Sequence, residues 1–196
     1  MKIKYLIMIA CFGFSTVHAN EQEAKNIQKY NEEPYQVDDL TVITECDIIA
    51  AQRQWGNSIV AIGKAYSDGQ DYKAVAQDVL NNLYAFNTNT GVVLFRPTLA
   101  SETPFRGDIE SALSYFIGGN DKFQEDQGFA LKPWVSVEFK NDSIYFGGDF
   151  AVVMGQYTFE SASGEKVLVD YSFVYRKIET GQLIIVLQHS SLPYKP

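Results

Sequence analysis

Between Thr41 and Tyr66 the apolar positions Ile48, Ala51, Trp55, Ile59, Ile62 and Tyr66 recur at spacings of three and four. That spacing predicts one long amphipathic helix with a single buried stripe, closed by Asp68-Gly69. A second helix is predicted from Asp71 to Asn82. A third is predicted from Phe105 to Phe116, where Phe105, Ile109, Ala112, Leu113 and Phe116 share a face and Gly118-Gly119 stops the chain. After Lys132 the period changes to two. Strand-like runs cover 133–140, 143–147, 149–160, 166–178 and 182–191, and Asn141-Asp142, Ser163-Gly164 and Glu179-Thr180-Gly181 read as the turns between them. Val167, Val169, Tyr171, Phe173 and Tyr175 alternate so as to put one face of the fourth run on a core. Helices followed by an antiparallel meander predict an α+β domain whose sheet curves around the helices.

The start of the chain follows a different pattern. Lys2 and Lys4 precede an apolar run from Tyr5 to Phe14, and Val17-His18-Ala19 forms a small-residue exit. This is the order of a secretory signal, with cleavage expected after Ala19, and the run is too short to span a bilayer. A competing reading lipidates Cys11 within Met8-Ile9-Ala10-Cys11, but only ten residues precede that cysteine and Leu is missing from its usual place. The expected organisation is a signal peptide at 1–19, a linker or loosely ordered arm at 20–37, and a folded domain from 38 to 196. The protein is expected to be periplasmic or secreted, with no stable membrane anchor. The 16 basic and 24 acidic residues give a net charge of −8, and removal of Lys2 and Lys4 takes it to −10. Basic residues scattered among acids do not make a nucleic-acid surface.

Beyond the signal, one histidine, His189, and one cysteine, Cys46, remain. An intrachain disulfide cannot form, and a zinc site drawn from His and Cys of one chain is arithmetically excluded. Neither a G-x-S-x-G nucleophile turn nor a phosphate loop is present. On a regular last strand, Leu183, Ile185, Leu187, His189 and Ser191 would face one way, so an apolar wall would end in an imidazole and a hydroxyl. The bland reading is a satisfied core histidine; the functional one is a small-ligand pocket. Val92 to Thr98 reads as a buried strand ending in Arg96 and Thr98, and Tyr115 lies at the margin of the third helix's apolar face. Arg96 and Arg106 as ion-pair partners, Thr98 as a cap and Tyr115 as a core aromatic are the corresponding bland readings.

The strings Leu94 to Ala100, Phe105-Arg106, Ala112 to Phe116 with Gly118-Gly119, Gly128 to Ala130 with Pro133-Trp134, and His189 to Tyr194 together resemble the iota-class carbonic anhydrases. The resemblance covers about Thr41 to Tyr194. It implies the nuclear transport factor 2-like cone, similar to the association domain of calcium/calmodulin-dependent kinase II. It also implies a pocket in which Thr98, Tyr115, His189 and Ser191 hold bicarbonate, or the water that attacks carbon dioxide, with His189 taking the proton. Leu187 and Gln188 stand where some members place further histidines, which favours the metal-free form and no cofactor. The resemblance further implies a homo-oligomer, a dimer through the sheet. Two alternatives stay open. One is a non-catalytic small-ligand-binding or oligomerisation module of the same fold. The other is an isomerase or cyclase with a carboxylate base, for which Asp170 is the candidate if its register turns it inward.

Overall fold

The computed structural model describes residues 42–195. The expected signal peptide and linker, and the domain start at 38, lie outside them. Helix α1 spans Glu45–Ser67, α2 Tyr72–Leu83 and α3 Ile109–Ile117. The strands are β1 Leu94–Arg96, β2 Trp134–Phe146, β3 Phe150–Ser161, β4 Lys166–Lys177 and β5 Leu183–Ser191. They form one sheet in the order β1-β5-β4-β3-β2, antiparallel except for the short parallel β1-β5 edge pair. The α+β expectation holds.

Local chemistry explains the helix limits. The Thr44 hydroxyl accepts from the Asp47 backbone N–H, while the Asp47 carboxylate accepts from the Thr44 N–H, a reciprocal cap at the start of α1. Asp71 caps α2 and Asp108 caps α3. The cap at Asp108 corrects the expected start of the third helix: Phe105 stands outside it and is exposed, and Arg106 beside it is buried. Apolar spacing alone placed Phe105 on the helix, whereas the Asp108 carboxylate, taking the Ser111 N–H at 2.9 Å, sets where winding begins.

The buried stripe of α1, Ile48, Trp55, Ile59 and Ile62, lies on the inner face of the sheet; Tyr66 leaves the stripe and is exposed. On β4 the expected alternation holds, with Val169, Tyr171, Phe173 and Tyr175 all buried. Trp55 sits among Phe139, Tyr157, Phe159 and Phe173 with ring centroids 5.5 to 6.2 Å away. Aromatic pairs at such spacings add to the burial of their area, so this cluster is the centre of the core.

A single strand, β2, replaces the two runs expected on either side of Asn141-Asp142. Its pairing with β3 steps from Asn141↔Gly155 to Ser143↔Met154, so Asp142 is the extra residue of a β-bulge and not part of a turn. Gly155 opposite the bulge is there for space: a Cβ would stand 2.2 Å from the Lys140 carbonyl oxygen and 3.0 Å from Asn141 Cα. Gly155→Ala should therefore cost about 1–3 kcal/mol through overpacking against backbone, read as a lower urea midpoint with an unchanged slope.

Candidate active site

A cavity of about 160 Å³ opens between the inner sheet face, α3 and the chain that follows β1. Its walls are apolar, with Phe95, Phe129, Phe159, Val167 and Val169 among them. Its polar groups are those of Thr98, Tyr115, Tyr157, Gln188 and Ser190. Leu99, Lys132 and Leu192 line it and are exposed, which places the mouth beside them.

Thr98 and Tyr115 are thus brought together as expected, but His189 and Ser191 are not in this cavity. The cause is a second bulge. The β4-β5 register steps from Val174↔Leu187 to Tyr175↔Ile185, leaving Val186 as the extra residue. Inward positions are Leu183 and Ile185 before it, Gln188 and Ser190 after it. An irregularity of one residue exchanges the two faces of everything beyond it. His189 is exposed on the outer face, opposite Arg96 of β1 and Ser172 of β4. There, with Ser191 and Asp170, it borders a separate open groove. Asp170 accepts from Gln156 Nε2 at 2.8 Å on that outer side, so the carboxylate base required by an isomerase or cyclase is absent from the cavity lining.

The residues that replace them are held by a buried chain of hydrogen bonds. Trp55 Nε1–H donates to the Tyr84 hydroxyl at 2.7 Å, and the Tyr84 O–H donates to Gln188 Oε1 at 2.5 Å. With its carbonyl oxygen engaged, the Gln188 carboxamide has its NH₂ on the cavity side, where it meets the Tyr157 hydroxyl. Burial pushes the Tyr157 hydroxyl up to about 12, against the opposing effect of hydrogen bonding with Ser190 and Gln188. Burial likewise raises Tyr84 and Tyr115 well above the ordinary phenol value. The Tyr115 oxygen accepts a long bond from the Leu99 N–H, 3.4 Å, so its own proton stays available. Tyr115 and Tyr157 are therefore neutral donors across the physiological pH range. Neither Gln188, Ser190 nor Tyr157 was singled out from the sequence. Tyr157 falls in the regular alternation Val153, Tyr157, Phe159 and was within reach; Gln188 and Ser190 were hidden by the bulge.

The wall bearing Thr98 is fastened by a charged clasp. The fully buried Arg106 guanidinium donates to both Asp126 oxygens, at 2.7 and 2.9 Å, to Glu125 at 3.0 Å and to the Thr103 carbonyl at 2.7 Å. Glu125 in turn accepts the backbone N–H groups of Ser101, Glu102 and Thr103, and Asp126 accepts from Ser114 Oγ, adjacent to Tyr115. The N–H groups of Thr103, Ser101 and Glu102 hold the Glu125 carboxyl down at about 2.

An apolar chamber of small volume whose polar lining groups are neutral but for one lysine, on an α+β sheet-and-helix scaffold, places the protein in the class of α+β domains with a small-ligand pocket. Within that class the chain belongs to the metal-independent carbonic anhydrases, lyases whose family model matches residues 46–192. A metal-independent carbonic anhydrase from Nostoc sp. is 41% identical over 156 residues, which cover 78% of this chain and 75% of that protein. The crystal structure of the iota-carbonic anhydrase from a cyanobacterium, complexed with bicarbonate, matches with a TM-score of 0.76 at 38% identity, over 80% of this chain and 96% of that one. A structure given as a calcium/calmodulin-dependent protein kinase II association domain, from Xanthomonas campestris, is 23% identical with a TM-score of 0.48, over 76% of this chain and 87% of that one. No His, Cys, Asp or Glu lines the cavity, and no group of three or more such residues is placed to hold a metal among the described residues.

Glu125 supplies a test of the clasp. Its folded carboxyl is depressed below the ordinary 4.5, so its contribution to stability is present above that value and is lost as pH falls toward about 2. Glu125→Gln should lower the urea midpoint at neutral pH and flatten its decline between about pH 5 and about pH 2 relative to the parent protein.

Proposed function

We propose that this chain hydrates carbon dioxide reversibly to bicarbonate and a proton, in the cavity bounded by Thr98, Tyr115, Tyr157, Gln188 and Ser190. The observation that carries the reading is the set of neutral hydroxyl and carboxamide groups, from Thr98, Tyr115, Tyr157, Gln188 and Ser190, in the lining of a mostly apolar chamber. Carbon dioxide is small, linear and uncharged and suits the phenyl and valine walls. A water held by the Thr98 and Ser190 hydroxyls attacks its carbon. As the new C–O bond forms, negative charge grows on the carbon dioxide oxygens, where Tyr115, Tyr157 and the Gln188 NH₂ donate. The donors are placed before the reaction starts, because Gln188 is pinned through Tyr84 to Trp55 and Tyr115 is packed between Phe95 and Phe129. Preorganised donors in a dry site stabilise such charge without reorganising. With no imidazole or carboxylate in the lining, the departing proton goes to water rather than to a side chain.

We also propose that residues 1–19 direct export to the periplasm or beyond and that the protein works as a homodimer. The charged, apolar and small-residue order of the leader supports the first, and the family resemblance supports the second. The N-terminal residue of protein recovered from a periplasmic fraction should be Asn20, checked by mass spectrometry.

Stopped-flow hydration by chelated protein tests the central reading. Tyr157→Phe and Ser190→Ala should each lose on the order of 10² in kcat/KM, whereas His189→Ala should keep the parent rate within about twofold and the same pH profile, since a residue outside the cavity contributes no transition-state contact. Loss of activity in His189→Ala with Tyr157→Phe unaffected would overturn the assignment of the cavity. A parent protein that binds bicarbonate but does not turn over would instead be a binding module.

A further inference from the structure

Lys132 is the one charged side chain in the lining of the cavity. We infer that it is the specificity-determining residue for the charged partner of the reaction, drawing bicarbonate and competing monovalent anions to the mouth. This rests on the reading of the cavity as the hydration site, but it concerns a different property: how a neutral chamber in a strongly acidic protein admits an anion at all.

The chain carries a formal charge of −8 and a pI near 4.7, so its far field repels anions. Inside the cavity the donors are uncharged, and burial keeps Tyr115 and Tyr157 protonated. They solvate developing charge at contact distance but exert no long-range pull. The ammonium of Lys132 does. Its side chain is exposed, and Nζ stands 5.5 Å from the Trp134 ring centroid, over a residue that is itself a cavity wall. A cation against an aromatic face loses some of its freedom. Trp134 is fixed in turn, with its indole N–H donating to the Phe129 carbonyl at 2.9 Å.

The backbone beneath Lys132 is also held. The Trp134 N–H donates to the Lys132 carbonyl at 2.7 Å, and Gly63 of α1 approaches so closely that a Cβ there would lie 2.7 Å from that same oxygen. Residue 132 therefore has a fixed main chain and a side chain free to reach over the opening. None of the ion pairs among the described residues involves Lys132, in contrast to Lys64, Lys122, Lys166 and Lys177. Its charge is not consumed by a neighbouring carboxylate.

The experiment is a charge series, Lys132→Arg, Lys132→Gln and Lys132→Glu, assayed in both directions with nitrate as the competing anion. Because the overall equilibrium is fixed, kcat/KM for hydration and for dehydration must move together in any variant. The diagnostic quantities are therefore the nitrate inhibition constant and the ratio of KM for bicarbonate to KM for carbon dioxide. Both should rise roughly three- to tenfold in Lys132→Gln, further in Lys132→Glu, and return to the parent values in Lys132→Arg. Added salt should weaken nitrate inhibition in the parent protein and hardly change it in Lys132→Gln. Equal nitrate constants across the series would overturn the inference. Line broadening of ¹³C-bicarbonate measured by NMR reads the same contrast without turnover. A parent protein inactive in hydration would thus sink the proposed function, while the bicarbonate affinities of the parent and Lys132→Gln would still decide for or against Lys132.

Discussion

The hydroxyl of Tyr84 accepts from Trp55 and donates to Gln188, and the rest of the molecule is arranged around that pair of bonds. It joins the middle of α1, the turn after α2 and strand β5, three elements far apart in sequence. In a buried setting each of these polar groups would be costly without a partner, so the three elements have one relative placement that satisfies them all. The aromatic cluster about Trp55 is held by non-directional burial and tolerates small shifts. The hydrogen-bond chain does not. Packing makes the core; the Tyr84 bonds make it unique and present one face of Gln188 to the cavity.

Two of the three register shifts in the sheet shape it around that core. Asp142 in β2, accommodated by Gly155, lies beside the Gln52, Asn141 and Tyr171 side chains, which bond to one another midway along the sheet, where Tyr171 stacks on Tyr157 of the cavity wall at 5.3 Å. Val186 in β5 turns Gln188 and Ser190 inward and His189 outward. The inner face is thereby furnished with neutral hydrogen-bonding groups, and the ionisable ones, His189, Asp170 and Arg96, stand on the other side of a single layer of backbone. The Arg106 clasp does the equivalent task for the opposite wall, binding the chain after Thr98 to the chain before Phe129 through charges that never face the substrate space.

Much of this was legible. The α1 stripe from Ile48 to Ile62 and the β4 alternation from Val169 to Tyr175 are periodic over enough residues for the pattern to declare both element and face. The resemblance carried by Leu94 to Ala100, Ala112 to Phe116 and His189 to Tyr194 led to the right family, and Thr98 and Tyr115 line one pocket. The failures share a cause. Neither Asp142 nor Val186 is flanked by the Gly or Pro that usually marks an irregular strand, so a regular count split β2 into two and put His189 and Ser191 on the wrong face of β5. The third helix was begun too early because Phe105 fits its apolar period, while the Asp108 cap that decides the start is a single polar atom.

The chain of bonds behind Gln188 ends at an indole. Trp55 Nε1 donates and has no lone pair with which to accept, so the line Gln188–Tyr84–Trp55 cannot pass a proton onward through the core. It is an anchor and not a wire. Among the described residues, the exposed lining side chains Leu99, Lys132 and Leu192 mark the neck by which gas, anion and proton reach the enzyme's cavity. Its throughput is governed by what waits outside that neck to carry protons away as much as by the chemistry within.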